Sequence, residues 1–216
     1  MKLSRKKVKV TDLKSGRAMG WDTLVALAGF AFAGTWTPGP NNMMLASSGA
    51  TFGFRRTLPH ALGVALGFPL MLFLIALGLG EAFQRAPLFG TVLGWVGAAV
   101  MLWLAWRIGT AGAAGSRVRP RPLTFAEASA FQWVNPKAWV MCIGVSATFA
   151  SGEAPVIEAL IAAGIFVVSG LSSANGWAAF GAGIGRMLGT GWRLRAFNAA
   201  MGLMLAASAI WLVIGG

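Results

Sequence analysis

The chain is poor in the side chains that carry redox, metal and acid–base chemistry. It has one cysteine (Cys142), one histidine (His60), no tyrosine and six acidic residues. One Cys and one His cannot build a disulfide framework, a CxxC redox pair or a Cys/His metal cluster, so neither a metal nor a cofactor is expected. Charged residues amount to 11% of the 216, where a soluble domain carries roughly 25%. What fills the chain instead is apolar: 56% of residues are hydrophobic. They come in blocks long enough to cross a bilayer, which takes about 20 residues of helix. The formal net charge of +12 does not indicate a nucleic-acid partner. No basic face with interleaved aromatics is present, and the cations lie between apolar blocks, as positive-inside topology requires. The chain therefore reads as an all-α polytopic membrane protein whose large-scale partner is the lipid bilayer. Cys142, inside an apolar block, reads as a small core residue. Trp21, Trp95, Trp139, Trp192 and Trp211 fall near block ends, where indole suits the membrane interface.

Six apolar segments are predicted, at about 22–50, 61–80, 90–109, 136–152, 156–183 and 196–215. A half-apolar stretch at 124–135 precedes the fourth and reads as re-entrant or interfacial. Arg55 and Arg56, then Arg107, Arg117, Arg119, Arg121 and Lys137, then Arg186, Arg193 and Arg195 lie around loops one, three and five. Loops two and four hold Arg85 with Glu81, Glu153 and Glu158. The asymmetry places the odd loops in the cytoplasm and both termini outside. The tail at 1–18 conflicts with this, having Lys2, Arg5, Lys6, Lys7, Lys9, Lys14 and Arg17 against Asp12. Either Met19 is the true start and the tail a gene-model extension, or the tail holds the N-terminus inside, or it begins a cleaved signal peptide.

The first segment is interrupted by Thr37-Pro38-Gly39-Pro40-Asn41-Asn42. Each proline removes a backbone donor and clashes with the preceding turn, so a regular helix cannot pass through. In hydrocarbon the freed carbonyls need partners, and such a break persists only within protein or beside a water-filled cavity. A second, weaker version occurs at Gln132-Trp133-Val134-Asn135-Pro136-Lys137-Ala138-Trp139. Three segments per half invert the second half relative to the first, and inverted repeats with broken helices are a transporter plan. The expected organisation is a basic tail (1–18), a three-helix half (19–110), a basic cytoplasmic loop (111–123) and a second three-helix half (124–216), the first helix of each half broken at proline.

Thr37-Pro-Gly-Pro-Asn-Asn-Met-Met-Leu45, with Ser48-Gly-Ala-Thr-Phe-Gly-Phe-Arg-Arg56 and Leu58-Pro-His-Ala-Leu-Gly63, resembles the first-half signature of the LysE/RhtB family of amino-acid exporters. Phe131-Gln-Trp-Val-Asn-Pro-Lys-Ala-Trp139 resembles its second-half signature. The resemblance covers the chain from about Met19. It implies an inner-membrane secondary exporter of amino acids or close derivatives, running on the proton-motive force. The Asn-Asn pair leans toward the branch that exports neutral or hydroxy amino acids such as homoserine and threonine. One departure stands out: no carboxylate lies mid-span, since Asp22, Glu81, Glu127, Glu153 and Glu158 sit at segment ends or in loops.

The candidate substrate-binding residues are Thr37, Gly39, Asn41, Asn42, Met43, Asn135 and Lys137, with Pro38, Pro40 and Pro136 making the breaks. An asparagine amide offers two donors and two acceptor lone pairs, enough for an ammonium or a carboxylate; the plainer reading is that it caps the resumed helix. The amides of Asn41, Asn42 and Met43 begin a helix, where partial positive charge favours a carboxylate. Lys137 suits a substrate carboxylate or a snorkelling anchor equally. His60, opening the second segment, is a candidate proton relay or simply structural. Asn175 with Ser172 and Ser173 forms a polar patch in the fifth segment that helix–helix hydrogen bonding explains as well as substrate contact. Glycine pairs at 63/67, 90/94 and 181/185 have the spacing of close helix packing, and a homo-oligomer is the second reading. Together these features indicate a non-enzymatic exporter of an amino acid or similar small metabolite. A non-transporting membrane scaffold would not need two buried breaks, and a membrane thiol-transfer protein would need at least two cysteines.

Overall fold

A computed structural model of the chain describes residues 19–80, 87–111 and 121–214. The basic tail at 1–18, Glu81, Arg85, Arg117 and Arg119 lie outside the described residues, as does most of the predicted loop at 111–123. All regular structure among the described residues is helical. Helix α1 covers Trp21–Trp36 and α2 covers Pro40–Phe52. Helix α3 covers Phe54–Leu74 and runs into a π-helical turn at Ile75–Leu79. Then come α4 (Pro87–Gly109), α5 (Phe125–Phe131) with a 3₁₀ turn at Gln132–Val134, α6 (Pro136–Phe149), α7 (Pro155–Leu188) and α8 (Trp192–Ile214).

Among the described residues four helices are long and apolar enough to cross a membrane: Phe54–Leu79, Gly90–Gly109, Pro155–Leu188 and Trp192–Ile214. The two predicted segments missing from that set are the interrupted ones. Residues 22–50 divide into α1 and α2. The segment predicted at 136–152 is the 14-residue α6, about 21 Å at 1.5 Å per residue, preceded by α5 and its 3₁₀ turn. The stretch at 124–135 thus becomes ordered helix, started by a capping box in which Thr124 and Glu127 each accept from the other's backbone amide.

The breaks lie where the prolines put them. Thr37, before Pro38, takes an extended ψ of 129°, since a residue preceding proline is driven from the helical region. Pro40 opens α2 at a position where a missing N–H is harmless. Asn135 likewise extends (ψ 112°) ahead of Pro136 and caps α6, its Oδ1 accepting from the Lys137 amide at 3.2 Å. A different device joins α2 to α3: Gly53, at φ 81°, turns the chain in one residue. Because of it α3 begins at Phe54, and His60, expected to open its span, lies inside the helix and is buried.

Small residues let the helices close. A Cβ on Gly181 or Gly185 of α7 would strike the carbonyl oxygen of Ala46 or Ala50 on α2, and one on Gly49 would strike that of Ala178. Gly63 and Gly67 of α3 meet α5 at Phe125, Ala128 and Ser129 in the same way, and Gly202 brings α8 onto α4 at Ala105 and Gly109. The pair Gly90/Gly94 departs from expectation. Both face open space, beside an apolar groove of about 320 Å³ lined by Leu93, Val140, Ile143 and Leu212 among others. Large apolar side chains including Leu70, Trp95, Trp106, Leu203 and Trp211 point outward, as a lipid-facing surface requires. The described arginines of loops one, three and five gather at one end: Ala50 touches the Gly185 turn of α7, Asn198 of α8 reaches Thr51, and Arg107 and Arg121 line one hollow with Thr51. Lys137, grouped with them in the sequence reading, does not belong there; it sits at the second break.

Candidate functional site

The two interruptions meet. Between them lies a cavity of about 50 Å³, walled by Gly34 and Thr35 of α1, Gly39, Asn41 and Asn42 at the start of α2, and Val64, Ala65, Phe68 and Pro69 of α3. Asn135, Lys137, Ala138 and Met141 complete the wall from the second break, with Phe166, Gly170, Ser173 and Ala174 of α7. By the measure in which a water needs 10–15 Å³, this is room for a few waters or a small polar head.

Two carbonyls of the first break, those of Thr35 and Thr37, are bound by side chains. Asn42 Nδ2 donates to the carbonyls of Thr35 (2.9 Å) and Thr37 (3.0 Å). Ser173 Oγ donates to Thr35 O at 2.7 Å, and Lys137 Nζ to Thr37 O at 2.6 Å. Asn41 and Gln132 exchange amide hydrogen bonds, Nδ2 to Oε1 at 2.8 Å and Nε2 to Oδ1 at 3.2 Å. Gln132 also donates to Ala128 O at 2.8 Å. Each break is therefore completed by residues of the other. In an apolar interior an unpaired carbonyl costs on the order of 1–3 kcal/mol, so these bonds are what makes the interruption stable.

Electrostatically the cavity favours negative charge. Both α2 and α6 begin at its wall, and helix N-termini carry partial positive charge. The Lys137 ammonium adds a full charge, while among the described residues no carboxylate lines the cavity. Glu158, although buried, is held at the far end of α7 by Ser151 and by the Gly152 amide (3.2 Å). For an ammonium the cavity offers side-chain amide oxygens of the asparagines in its wall. An apolar wall of Phe68, Met141 and Phe166 stands opposite, with Phe68 and Phe166 in ring contact at 5.1 Å.

Of the predicted site residues, Gly39, Asn41, Asn42, Asn135 and Lys137 line this cavity, and Thr37, Met43 and His60 do not. Thr37 turns its hydroxyl back onto Ala33 O (2.5 Å) and offers the site only its carbonyl. The amide of Met43 is committed to Gly39 O at 3.0 Å, and its side chain packs toward α4 and α8. His60 lines a separate hollow. Asn175 bonds Leu171 O of its own helix, so of the polar patch in the fifth segment it is Ser173 that reaches the cavity. Gln132 and Thr35 were not singled out beforehand. An amide three residues ahead of Asn-Pro in a half-apolar stretch was the available signal for Gln132; Thr35 carried none.

A family model described as LysE type translocator matches residues 32–216. The chain is similar to the cysteine/O-acetylserine efflux proteins of Salmonella paratyphi A and Salmonella typhi, 37% identical over 134 residues, or 61% of this chain and 67% of each of those proteins. It is likewise similar to the protein of that name from Escherichia coli K12, 37% identical over 114 residues, 51% of this chain and 56% of that one. No solved structure matches.

Proposed function

Because the chain belongs to the LysE type translocator family, we propose that it exports a small neutral amino acid, or a close derivative of one, across the bacterial inner membrane through the cavity where its two interrupted helices meet. One observation carries the reading: a hollow in an apolar helical bundle, built from both breaks and furnished with Lys137, Asn42 and two helix starts but, among the described residues, no carboxylate. That furniture suits a zwitterion held chiefly by its carboxylate, with its side group against Phe68, Met141 and Phe166. A cationic substrate would lack a counter-charge there.

The homoserine/threonine lean gives way to a different small-side-chain class. The relatives are named for efflux of cysteine and O-acetylserine, whose thiol or acetyl group suits a wall of aromatic rings and a thioether better than a hydroxyl would. Counting α1–α2 and α5–α6 as one crossing each beside the four long helices gives six crossings, three per half and inverted. Rocking of one half against the other then exposes the cavity alternately, with the arginine-rich end in the cytoplasm. A scaffold without transport needs no such cavity.

The test is an efflux assay in a strain lacking its own exporters, challenged separately with cysteine, O-acetylserine, homoserine and threonine. Protection and extracellular accumulation are expected for the first two and abolished in Asn42→Ala. Unchanged tolerance and unchanged pools for every compound would sink the exporter reading.

A further inference from the structure

A second hollow, of about 60 Å³, lies at the arginine-rich end of the bundle. It is lined by Ser47, Ser48 and Thr51 of α2, His60 of α3, Arg107 of α4, and Arg121 before α5, among others. His60 is 1% exposed, and neither ring nitrogen has a hydrogen-bond partner. Buried polar atoms are almost always paired, so an unpaired imidazole facing a hollow asks for a ligand. The other polar groups there satisfy one another. Ser47 donates to Asn198 Oδ1 at 2.8 Å, Asn198 donates to Thr51 at 2.9 Å, and Ser48 and Thr57 share a bond of 3.0 Å. Arg121 is spent on Glu127, with both oxygens engaged at 2.6 Å. Arg107 is not spent: its guanidinium lies over the Trp103 ring at 4.7 Å and pairs with no acid among the described residues. The hollow thus presents a guanidinium with no acid partner and an unpaired imidazole; among the described residues no carboxylate lines it, Glu127 being engaged by Arg121.

The same two helices line both hollows. Asn41 and Asn42 of α2 face the first, and Ser48 and Thr51 the second; Phe68 of α3 faces the first and His60 the second. Along the helices between these sets lie Leu45 and Ala61, packed with Ala128 and Ala174 into a closed apolar layer in which Leu45 and Ala61 are fully buried.

We infer that the hollow at the arginine-rich end is a second binding station, where Arg107 and His60 hold the carboxylate of an amino acid before it passes the Leu45 layer to the cavity at the breaks. A guanidinium takes a carboxylate by two parallel N–H···O bonds, and an imidazole N–H supplies a third. The inference rests on the exporter reading but assigns residues that reading does not use.

The experiment compares uptake of radiolabelled O-acetyl-L-serine by membrane vesicles of both orientations. In everted vesicles the probe meets the arginine-rich end first. There Arg107→Gln raises KM about tenfold, the scale of one charged hydrogen-bonded pair, with Arg107→Lys in between. In right-side-out vesicles the KM of Arg107→Gln stays within about twofold of wild type. An equal KM for variant and wild type in everted vesicles overturns the inference, and so does an equal rise from both faces. A second measurement needs no variant. Because the chain has a single histidine, its ¹³C-labelled imidazole gives one resonance in the full-length protein. That resonance moves on addition of O-acetyl-L-serine and stays put with the corresponding carboxamide. A resonance indifferent to both overturns the second station even where transport is intact. Absence of wild-type transport in either orientation counts against the exporter reading, and the histidine resonance then decides the site by itself.

Discussion

At the scale of single residues, Asn42 allows the two roles of an amide to be told apart. Its Nδ2 donates to the carbonyls of Thr35 and Thr37, so Asn42→Ala removes one of the two side-chain partners of each, two bonds of about 0.5–1.5 kcal/mol apiece, and should destabilise the protein by about 1–3 kcal/mol. Asn42→Asp is the sharper test. A carboxylate would improve binding of a substrate ammonium but cannot donate to a carbonyl, so a structural role predicts that it melts at least as early as the alanine variant, in detergent and by tryptophan fluorescence. Lys137→Gln keeps a donor for Thr37 O while removing the charge; efflux KM should rise about tenfold with the melting temperature nearly unchanged. The Glu127 carboxyl is a contrasting case. Hydrogen bonding from Arg121, followed by the Thr124 cap, holds it down to about 2 from an ordinary 4.5. A depressed carboxyl contributes stability that is fully present above pH 4.5 and lost as pH falls from there through 2. The pair is 51% and 40% exposed, so screening limits it to less than about 1 kcal/mol. Glu127→Gln should therefore shift the melting temperature slightly and equally at pH 6 and pH 8.

At the scale of elements, the contacts that hold α2 against α7 are backbone against backbone. Gly181→Val must push the Ala46 carbonyl away, at a cost of about 1–3 kcal/mol for overpacking and with loss of efflux. Gly94→Ala, which faces open space, should leave melting within about 0.5 kcal/mol of wild type. The two glycine pairs have identical spacing in the sequence, and only the fold separates them. Spacing reports that a face is flat; it does not say whether anything is set on it. The helix breaks were legible for the opposite reason: the ring of Pro38, Pro40 or Pro136 acts on its own backbone, so the consequence is local. His60 shows the limit of that logic. The apolar run begins only at residue 61 and so set His60 at its opening, yet Gly53 supplied the turn seven residues before the histidine and carried it inside. The partnership of Asn41 with Gln132, 91 positions apart, likewise depends on how the halves dock, which no local pattern encodes.

At the scale of the molecule, sidedness can be read chemically because the chain has one cysteine, and that one is buried. With Cys142→Ala as background, which should transport normally since the thiol packs behind the apolar wall of Phe68, Met141 and Phe166 and does not itself line the cavity, single cysteines can be placed at exposed positions of either end. Arg121→Cys should react with a membrane-impermeant maleimide only in everted vesicles, and Glu153→Cys only in right-side-out ones. Labelling of both from one face would refute the inverted six-crossing arrangement. Normal efflux by Cys142→Ala would also remove any thiol-transfer mechanism.

The reciprocal bracing of the two breaks has a consequence for how the chain is made. A ribosome delivers Thr37 to the membrane long before Lys137, 100 residues later, or Ser173, which lies 138 residues beyond Thr35. Until they arrive, the nascent first half carries exposed carbonyls in an apolar medium, and Asn42 is the partner already at hand, five and seven residues from the two oxygens it covers. It serves as a splint during biogenesis, so its loss should reduce the amount of protein that reaches the membrane more than it weakens the protein once assembled.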